Sequence, residues 1–167
     1  MTINVPEGSL FIDGEWVQPQ RTSDIRSPWD GNLAGTVGVA GARDMDRALT
    51  AASRAFATAR ALPRWKRADM CRRIADLLRA QREQFAQIIL RESGKPVQFA
   101  RAEVSRAITT FQLAAEEATR VGGEVIPLDI AAESEGAAGL ALRFPLGVVA
   151  GITPFNFPLN LAAHKMA

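Results

Sequence analysis

Between residues 44 and 120 the apolar side chains recur every three or four positions, which is the spacing of one face of an α-helix. The pattern predicts a first helix that begins near Asp44, with this residue as its cap. It predicts a second helix over about 64–92 and a third over about 97–120. Glycine and proline mark where the three helices end: Pro63, Gly94, Pro96, Gly122 and Gly123.

Extended structure is predicted on both sides of this helical region. The segment FIDGEW, residues 11–16, predicts a β-hairpin whose Asp-Gly pair supplies the positive φ angles of a type I′ turn. Thr36–Val39 reads as a short strand among glycine-rich turns. Glu124–Asp129 and the alternating residues 140–144 predict two more strands. Pro127 cannot donate a ladder hydrogen bond, so this pair is expected at an edge or in a protruding arm.

Residues 146–152 are apolar at every position, which predicts a strand that is buried in a parallel sheet. Leu159–Ala167 returns to a helical pattern, with Pro158 accommodated in the first turn. A buried parallel strand needs neighbours, and none follows in the sequence. We therefore expect these residues to be part of a longer chain.

Composition places the chain among globular proteins with a sizeable core, since 47% of its 167 residues are hydrophobic and 23% are charged. No apolar run is long enough to span a bilayer, and residues 1–10 lack the pattern of a signal peptide. Cys71 is the only cysteine, which excludes an internal disulfide and a cysteine-rich zinc site. We expect a cytoplasmic protein without a metal site and without membrane association.

The sequence pI of about 9.2 does not indicate nucleic-acid binding, because the formal net charge is only +2. Asp69 and Asp76 interleave with the basic residues of the predicted second helix, and no aromatic platform or recognition motif accompanies them. A solvated helix face explains this basic cluster better than a phosphate-binding surface. Its members are Arg60, Arg64, Lys66, Arg67, Arg72 and Arg73.

The segment GITPFNFPLN, residues 151–160, is the strongest candidate for chemistry. It connects a predicted buried strand to a helix, the position where open α/β folds bind their ligands. Prolines stiffen it on both sides, and Phe155 and Phe157 could wall a dry pocket. Asn156 between them offers N–H donors that carry no titrating charge, as stabilisation of an oxyanion requires. The alternative is a structural asparagine that closes an Asx-turn or caps the helix.

The stretch PLGVVAGITPFNFPL resembles the signature of the aldehyde dehydrogenase superfamily, in which an apolar strand leads into Pro, an aromatic residue, Asn, Phe and Pro. Further segments are similar to the family along nearly the whole chain: FIDGEW, SPWDGNLAGTV, RESGKP, GGEVIPL and AAHKMA. The resemblance implies an α/β fold. These residues would be the N-terminal part of the aldehyde dehydrogenase fold: helices, the start of a Rossmann-like parallel sheet, and a β-hairpin oligomerisation arm.

By this resemblance, Asn156 corresponds to the asparagine whose side-chain amide helps to hold the substrate oxygen as it becomes an oxyanion. Four residues correspond to the nicotinamide side of an NAD or NADP site, contacting it mainly through backbone and van der Waals interactions: Ile152, Thr153, Pro154 and Phe155. Phe155 stands where many members have tryptophan, a difference that the site should tolerate.

The resemblance also implies a domain layout and an assembly. Residues 1–122 would be the first segment of the NAD(P)-binding domain, 123–145 the first part of the oligomerisation arm, and 146–167 the first buried strand and following helix of the NAD(P)-binding domain. The catalytic domain would be absent from this chain. A homodimer or homotetramer is expected for the full-length protein.

The family oxidises aldehydes to carboxylic acids with NAD(P)⁺, through a cysteine thiohemiacetal that a glutamate-activated water resolves. In the family, the cysteine and the glutamate both lie downstream of a position like Ala167. We therefore expect the 167 residues alone to be inactive and poorly stable. A non-catalytic truncated product, or an assembly or binding module of the same fold, is the alternative. RFPLGVVAGITPFNFPLN is similar to the branch acting on small hydroxy, phosphorylated or phosphonylated aldehydes, such as lactaldehyde and glyceraldehyde-3-phosphate.

Other candidates for chemistry are weaker. Cys71 falls in a core-facing pattern, where a small buried cysteine is usual. The string at 93–95 mimics the end of a phosphate loop but lacks the earlier glycine and the following Ser or Thr. His164 has no partner at motif spacing, and Lys165 is not at the position of the family's ribose-binding lysine. We interpret three helical glutamates as solvated charges: Glu92, Glu116 and Glu117.

Overall fold

The computed structural model describes residues 7–167, which form a mixed α/β chain. Residues 1–6, on which the prediction of no signal peptide partly depends, lie outside the described part. The described elements are β1 (Leu10–Ile12), β2 (Glu15–Val17), β3 (Arg21–Arg26), β4 (Leu33–Val39), α1 (Ala42–Arg60), α2 (Arg64–Ala80), α3 (Arg82–Ser93), α4 (Val97–Arg120), β5 (Glu124–Pro127), a 3₁₀ turn (Ala132–Ser134), β6 (Ala138–Ala141) and α5 (Pro158–Met166).

Helix α4 is the centre of the fold, because α2, α3 and α5 all pack against it. The predicted bounds 97–120 are confirmed. Its buried face follows helical spacing and includes three alanines, whose small side chains let the neighbouring helices approach closely. One acid interrupts that apolar stripe. The buried residues of α4 are Ala100, Glu103, Val104, Ala107, Ile108, Phe111 and Ala115.

The other two predicted helices differ in detail from the structure. The predicted second helix over 64–92 is in fact two helices, α2 and α3, because Gln81 leaves the helical region at φ −111° and ψ 20°. No glycine or proline marks this break, so periodicity could not locate it. The first helix begins at Ala42 rather than at Asp44. Gly41 is its cap, and its N–H donates to Asp44 Oδ2 over 2.9 Å.

The predicted hairpin at 11–16 is confirmed. β1 and β2 pair antiparallel with Phe11 opposite Trp16. Asp13 and Gly14 have φ angles of +58° and +82°, as a type I′ turn requires. The strand predicted at 36–39 is longer than expected and begins at Leu33.

Two further antiparallel pairs complete the described sheets. β4 pairs with β3, which the pattern did not predict because the residues of β3 are mostly polar and exposed. β5 pairs with β6, so the two strands predicted around Pro127 do form a hairpin. That hairpin is shorter than predicted, with its second strand at 138–141.

The predicted buried strand at 146–152 is not observed in the described chain, and no parallel pair occurs among residues 7–167. Leu146 is 96% exposed and Ile152 is 86% exposed. The physical reason is that a strand requires partners for its backbone N–H and C=O groups, and none of the described strands pairs with this segment.

The helix that follows is close to prediction. α5 begins at Pro158, one residue before the predicted start, and its Ala163 is buried in the core beside α4. Among residues 7–167, none of the helices combines the length and apolarity needed to cross a membrane.

Candidate active-site turn

The turn formed by Phe155, Asn156 and Phe157 connects the exposed apolar segment to α5. Phe157 is the cap residue of this helix and Pro158 is its first residue. Proline suits that position because its fixed φ is helical and its missing N–H would have no partner there. The turn therefore has a defined geometry just before a helix that is anchored in the core.

The side-chain amide of Asn156 is exposed and forms no hydrogen bond with the described residues. An Asx-turn would need an N–H two residues further on, and Pro158 has none. The helix cap position belongs to Phe157 instead. Within residues 7–167, neither structural role considered for this amide is therefore fulfilled.

Glu103 closes the N-terminal end of α5 from the neighbouring helix α4. Its side chain is fully buried, at 0% exposure. Oε1 accepts hydrogen bonds from the backbone N–H of Leu159 at 3.0 Å and of Asn160 at 3.2 Å. A carboxylate at this place satisfies two helix-end donors and opposes the positive end of the helix dipole. These hydrogen bonds hold the first turn of α5 against α4.

Lys95 is the counter-charge of Glu103 and also reaches the turn itself. Its Nζ is ion-paired with Glu103 Oε2. The same Nζ donates a hydrogen bond to the backbone carbonyl of Asn156 at 2.9 Å. The Lys95 side chain is 13% exposed, so water screens these interactions only weakly.

The two phenylalanines of the turn have different surroundings. Phe157 is half-buried, with Lys95 Nζ 4.1 Å and the Arg106 guanidinium carbon 4.9 Å from its ring centroid. Both distances are typical of cation–π contacts. Phe155, in contrast, is 90% exposed. The sequence predicts that the two rings wall a common pocket, but in the described chain they do not.

The four residues predicted to contact a nicotinamide lie immediately before Asn156. Residues 152–155 are all exposed, and 152–154 belong to no helix or strand. All five predicted site residues therefore lie on one exposed segment, in which the carbonyl of Asn156 is bound by Lys95.

The remaining sequence candidates lie elsewhere or are engaged otherwise. Cys71 is half-buried and packs against the helical core, and His164 and Lys165 are exposed on α5. Glu92 is partly buried rather than solvated. Burial raises its pKa, and the nearby carboxylate of Glu103 raises it further.

Lys95 and Glu103 are the residues that the sequence interpretation missed. The sequence pattern singles out Lys95 only within the string at 93–95 that mimics a phosphate loop, and it does not single out Glu103. One signal was available: Glu103 interrupts the apolar stripe between Ala100 and Ala107, and a buried acid requires partners. The sequence could not indicate its two backbone partners, because they lie 56 and 57 residues further along the chain.

The family model described as "Aldehyde dehydrogenase family" matches residues 16–167. The 3-sulfolactaldehyde dehydrogenase of Priestia aryabhattai is 36% identical over 162 residues, which are 97% of this chain and 34% of that protein. Thus the chain spans about a third of the length of this curated relative.

Solved structures agree with this similarity. The chain superimposes with a TM-score of 0.89 on aldehyde dehydrogenase 21 of Physcomitrella patens, which was solved with the reaction product succinate. The two are 37% identical, and the match covers 98% of this chain and 34% of that one. The NADP-dependent glyceraldehyde-3-phosphate dehydrogenase of Bacillus halodurans, solved with NADP, gives a TM-score of 0.87 and 32% identity, covering 96% and 34%. The sequence signature, the family match and these folds together show that the chain belongs to the aldehyde dehydrogenase family.

Proposed function

We propose that these residues are part of an NAD(P)⁺-dependent enzyme that oxidises an aldehyde to a carboxylic acid. In this proposal Asn156 donates a hydrogen bond to the substrate oxygen as negative charge develops on it. The observation that carries the proposal is the free, exposed amide of Asn156 on a turn whose neighbouring backbone is held by Lys95 and Glu103.

An amide is chemically suited to this role. It is neutral at every physiological pH, so its donor strength does not depend on titration, and a fixed donor requires no reorganisation when the charge appears. Because the aldehyde is neutral and the tetrahedral state is charged, such a donor stabilises the transition state more than the substrate. Loss of one donor of this kind typically costs on the order of 10²–10³ in rate.

The residues before Asn156 fit the nicotinamide end of a dinucleotide. Residues 152–155 are exposed, uncharged and largely apolar, and they present backbone and van der Waals surface to a flat ring. When bound, the cofactor accepts the hydride that the aldehyde carbon loses. None of these four residues carries a charge that would recognise a ribose 2′-phosphate, so both NAD⁺ and NADP⁺ are compatible with them.

The nucleophile and the deacylating base are not assigned to these residues. Cys71 packs against the helical core, and Glu103 is fully engaged as an acceptor. We therefore propose that the 167 residues alone do not oxidise aldehydes. A non-catalytic assembly module remains the alternative, and it predicts no oxidation by the full-length protein either.

The substrate class, the assembly and the location are further parts of the proposal. The relatives acting on 3-sulfolactaldehyde and glyceraldehyde-3-phosphate support a small, oxygenated and anionic aldehyde. The exposed apolar side chains of the β5–β6 hairpin, such as Val125 and Leu140, support an oligomerisation arm at 123–145 in a homodimer or homotetramer. The division into 1–122, 123–145 and 146–167 follows from that arm, and we expect the enzyme in the cytoplasm.

A cofactor and substrate panel tests this proposal. The full-length protein is incubated with NAD⁺ or NADP⁺ and a series containing lactaldehyde, 3-sulfolactaldehyde, glyceraldehyde-3-phosphate and malonate semialdehyde, and formation of the reduced nicotinamide is followed by absorbance. We expect aldehyde-dependent reduction with the full-length protein and none with residues 1–167 alone. No reduction with any aldehyde and either cofactor would favour the assembly module.

A further inference from the structure

We propose that Lys95 and Glu103 are positioning residues for the amide of Asn156. Lys95 holds the backbone carbonyl of Asn156, and Glu103 holds the first turn of the helix that follows. The inference rests on the proposed function of Asn156 and adds the two side chains that give this amide its orientation.

Glu103 restrains the C-terminal side of the turn. Pro158 has no N–H, and the next two helix-end donors, from Leu159 and Asn160, both go to Glu103 Oε1. The N–H of the fourth helical residue, Leu161, bonds to the carbonyl of Phe157 at 3.0 Å. The first turn of α5 thus has no free backbone donor, and its position follows that of α4.

Lys95 restrains the turn from the other direction. Its backbone is fixed between two helices, because Gly94 ends α3 in the left-handed conformation at φ +66° and Pro96 is the cap residue of α4. From this place the side chain contacts the carboxylate of Glu103, the carbonyl of Asn156 and the ring of Phe157.

These contacts orient the Asn156 amide without touching a substrate. The peptide group between Asn156 and Phe157 is planar, so holding its carbonyl also holds the Asn156 Cα from which the side chain extends. A displacement of about 1 Å at a reacting group can cost on the order of 10²-fold in rate. Lys95 Nζ is committed to three partners and nearly buried, so it acts through Asn156 rather than on the aldehyde.

A different interpretation is that Lys95 and Glu103 only stabilise the fold. The two interpretations predict different couplings with Asn156. A stabilising ion pair would affect rate independently of Asn156, and the two effects would add. A positioning residue loses its effect once the group that it positions has been removed.

The test is a double-mutant cycle in the full-length enzyme with Lys95→Met and Asn156→Ala. We expect Lys95→Met to lower kcat between about 10- and 100-fold in the wild-type background, with little change in the KM for aldehyde. In the Asn156→Ala background the same substitution should lower kcat less than about 3-fold. Lys66→Met is the matched control, since Lys66 is an exposed lysine on α2, and it should leave kcat unchanged.

Lys95→Gln replaces Lys95→Met in the cycle if the methionine variant does not fold, because glutamine is neutral but keeps a polar side chain. If Asn156→Ala shows its own rate loss, additive effects in the cycle, or an unchanged kcat in Lys95→Met, would overturn the positioning role. If Asn156→Ala itself had the wild-type rate, the role proposed for Asn156 would fail, and the positioning role would fail with it.

Discussion

Replacing Glu103 by alanine should destabilise the protein far more than any replacement of an exposed glutamate. The carboxylate is fully buried and accepts hydrogen bonds from Lys95 and from two backbone N–H groups of α5. Truncation leaves all three donors without this acceptor. Removing one partner of a buried ion pair costs roughly 3–5 kcal/mol. Lys95 retains the Asn156 carbonyl and the Phe157 ring, so we expect the lower end, about 3 kcal/mol.

Glu103→Gln separates charge from hydrogen bonding at the same position. Its amide oxygen can still accept from the two backbone N–H groups, but the ion pair with Lys95 is lost. We expect an intermediate loss of about 1–2 kcal/mol, the cost of one charge-assisted hydrogen bond. Glu116→Ala on the same helix is the control, because Glu116 is exposed and its pair with Arg120 is 3.5 Å long. It should cost less than about 1 kcal/mol.

Amide hydrogen exchange in the full-length protein is the assay, since it reports local opening even where global unfolding is irreversible. In Glu103→Ala, exchange at Leu159 and Asn160 should accelerate strongly, whereas exchange in β1 and β2 should not change. Equal protection of these two amides in Glu103→Ala and in Glu116→Ala would refute the reasoning that Glu103 holds the start of α5.

Two further predictions concern the α3–α4 region. Arg101 donates two hydrogen bonds to Glu83, which together with Gln87 lower the pKa of Glu83 to about 2 from 4.5. The contribution of this pair to stability should be present above pH 4.5 and decline as the pH falls toward 2. Arg101→Gln should return the pKa of Glu83, measured by NMR titration of its carboxyl group, toward 4.5. A pKa near 4.5 in the wild-type protein would contradict this prediction. Gly94→Ala should destabilise by more than the roughly 1–2 kcal/mol of a left-handed φ alone, because the added Cβ would lie 2.8 Å from Pro28 Cγ. Gly136 also has a positive φ but lies in open space, so Gly136→Ala should cost only the free energy of placing alanine at a left-handed φ. Equal losses of unfolding free energy in the two variants would disprove the role of Pro28.

The sequence was most informative where structure is determined locally. The 97–120 helix was predicted at its observed bounds because its apolar stripe is regular and glycine or proline lies on both sides. The first hairpin was predicted because Asp-Gly has few alternatives to a type I′ turn. The break at Gln81 is not predicted, because no glycine or proline marks it.

Long-range partners explain the remaining differences. β3 is polar and becomes a strand only by pairing with β4. The segment 146–152 is apolar on both faces, but within residues 7–167 most of its large side chains stay exposed, because periodicity does not show which residues lie beside it. The Asn156 turn was recognisable from its flanking prolines and phenylalanines. The side chains that hold it were not, because Lys95 lies 61 residues before its hydrogen-bond partner.

The most direct test of the central claim is the replacement of Asn156 by alanine in the full-length protein, with kinetics, cofactor affinity and melting temperature measured on the same samples. We expect kcat and kcat/KM to fall together by on the order of 10²–10³, or about 3–4 kcal/mol, with cofactor affinity nearly unchanged. Asn32→Ala is the matched control: the Asn32 side chain bonds to Asp30 in a surface loop at 2.7 Å, and its loss should leave the rate unchanged. An Asn156→Ala enzyme that melts earlier but turns over near the wild-type rate would show that the asparagine is structural, and would contradict the account.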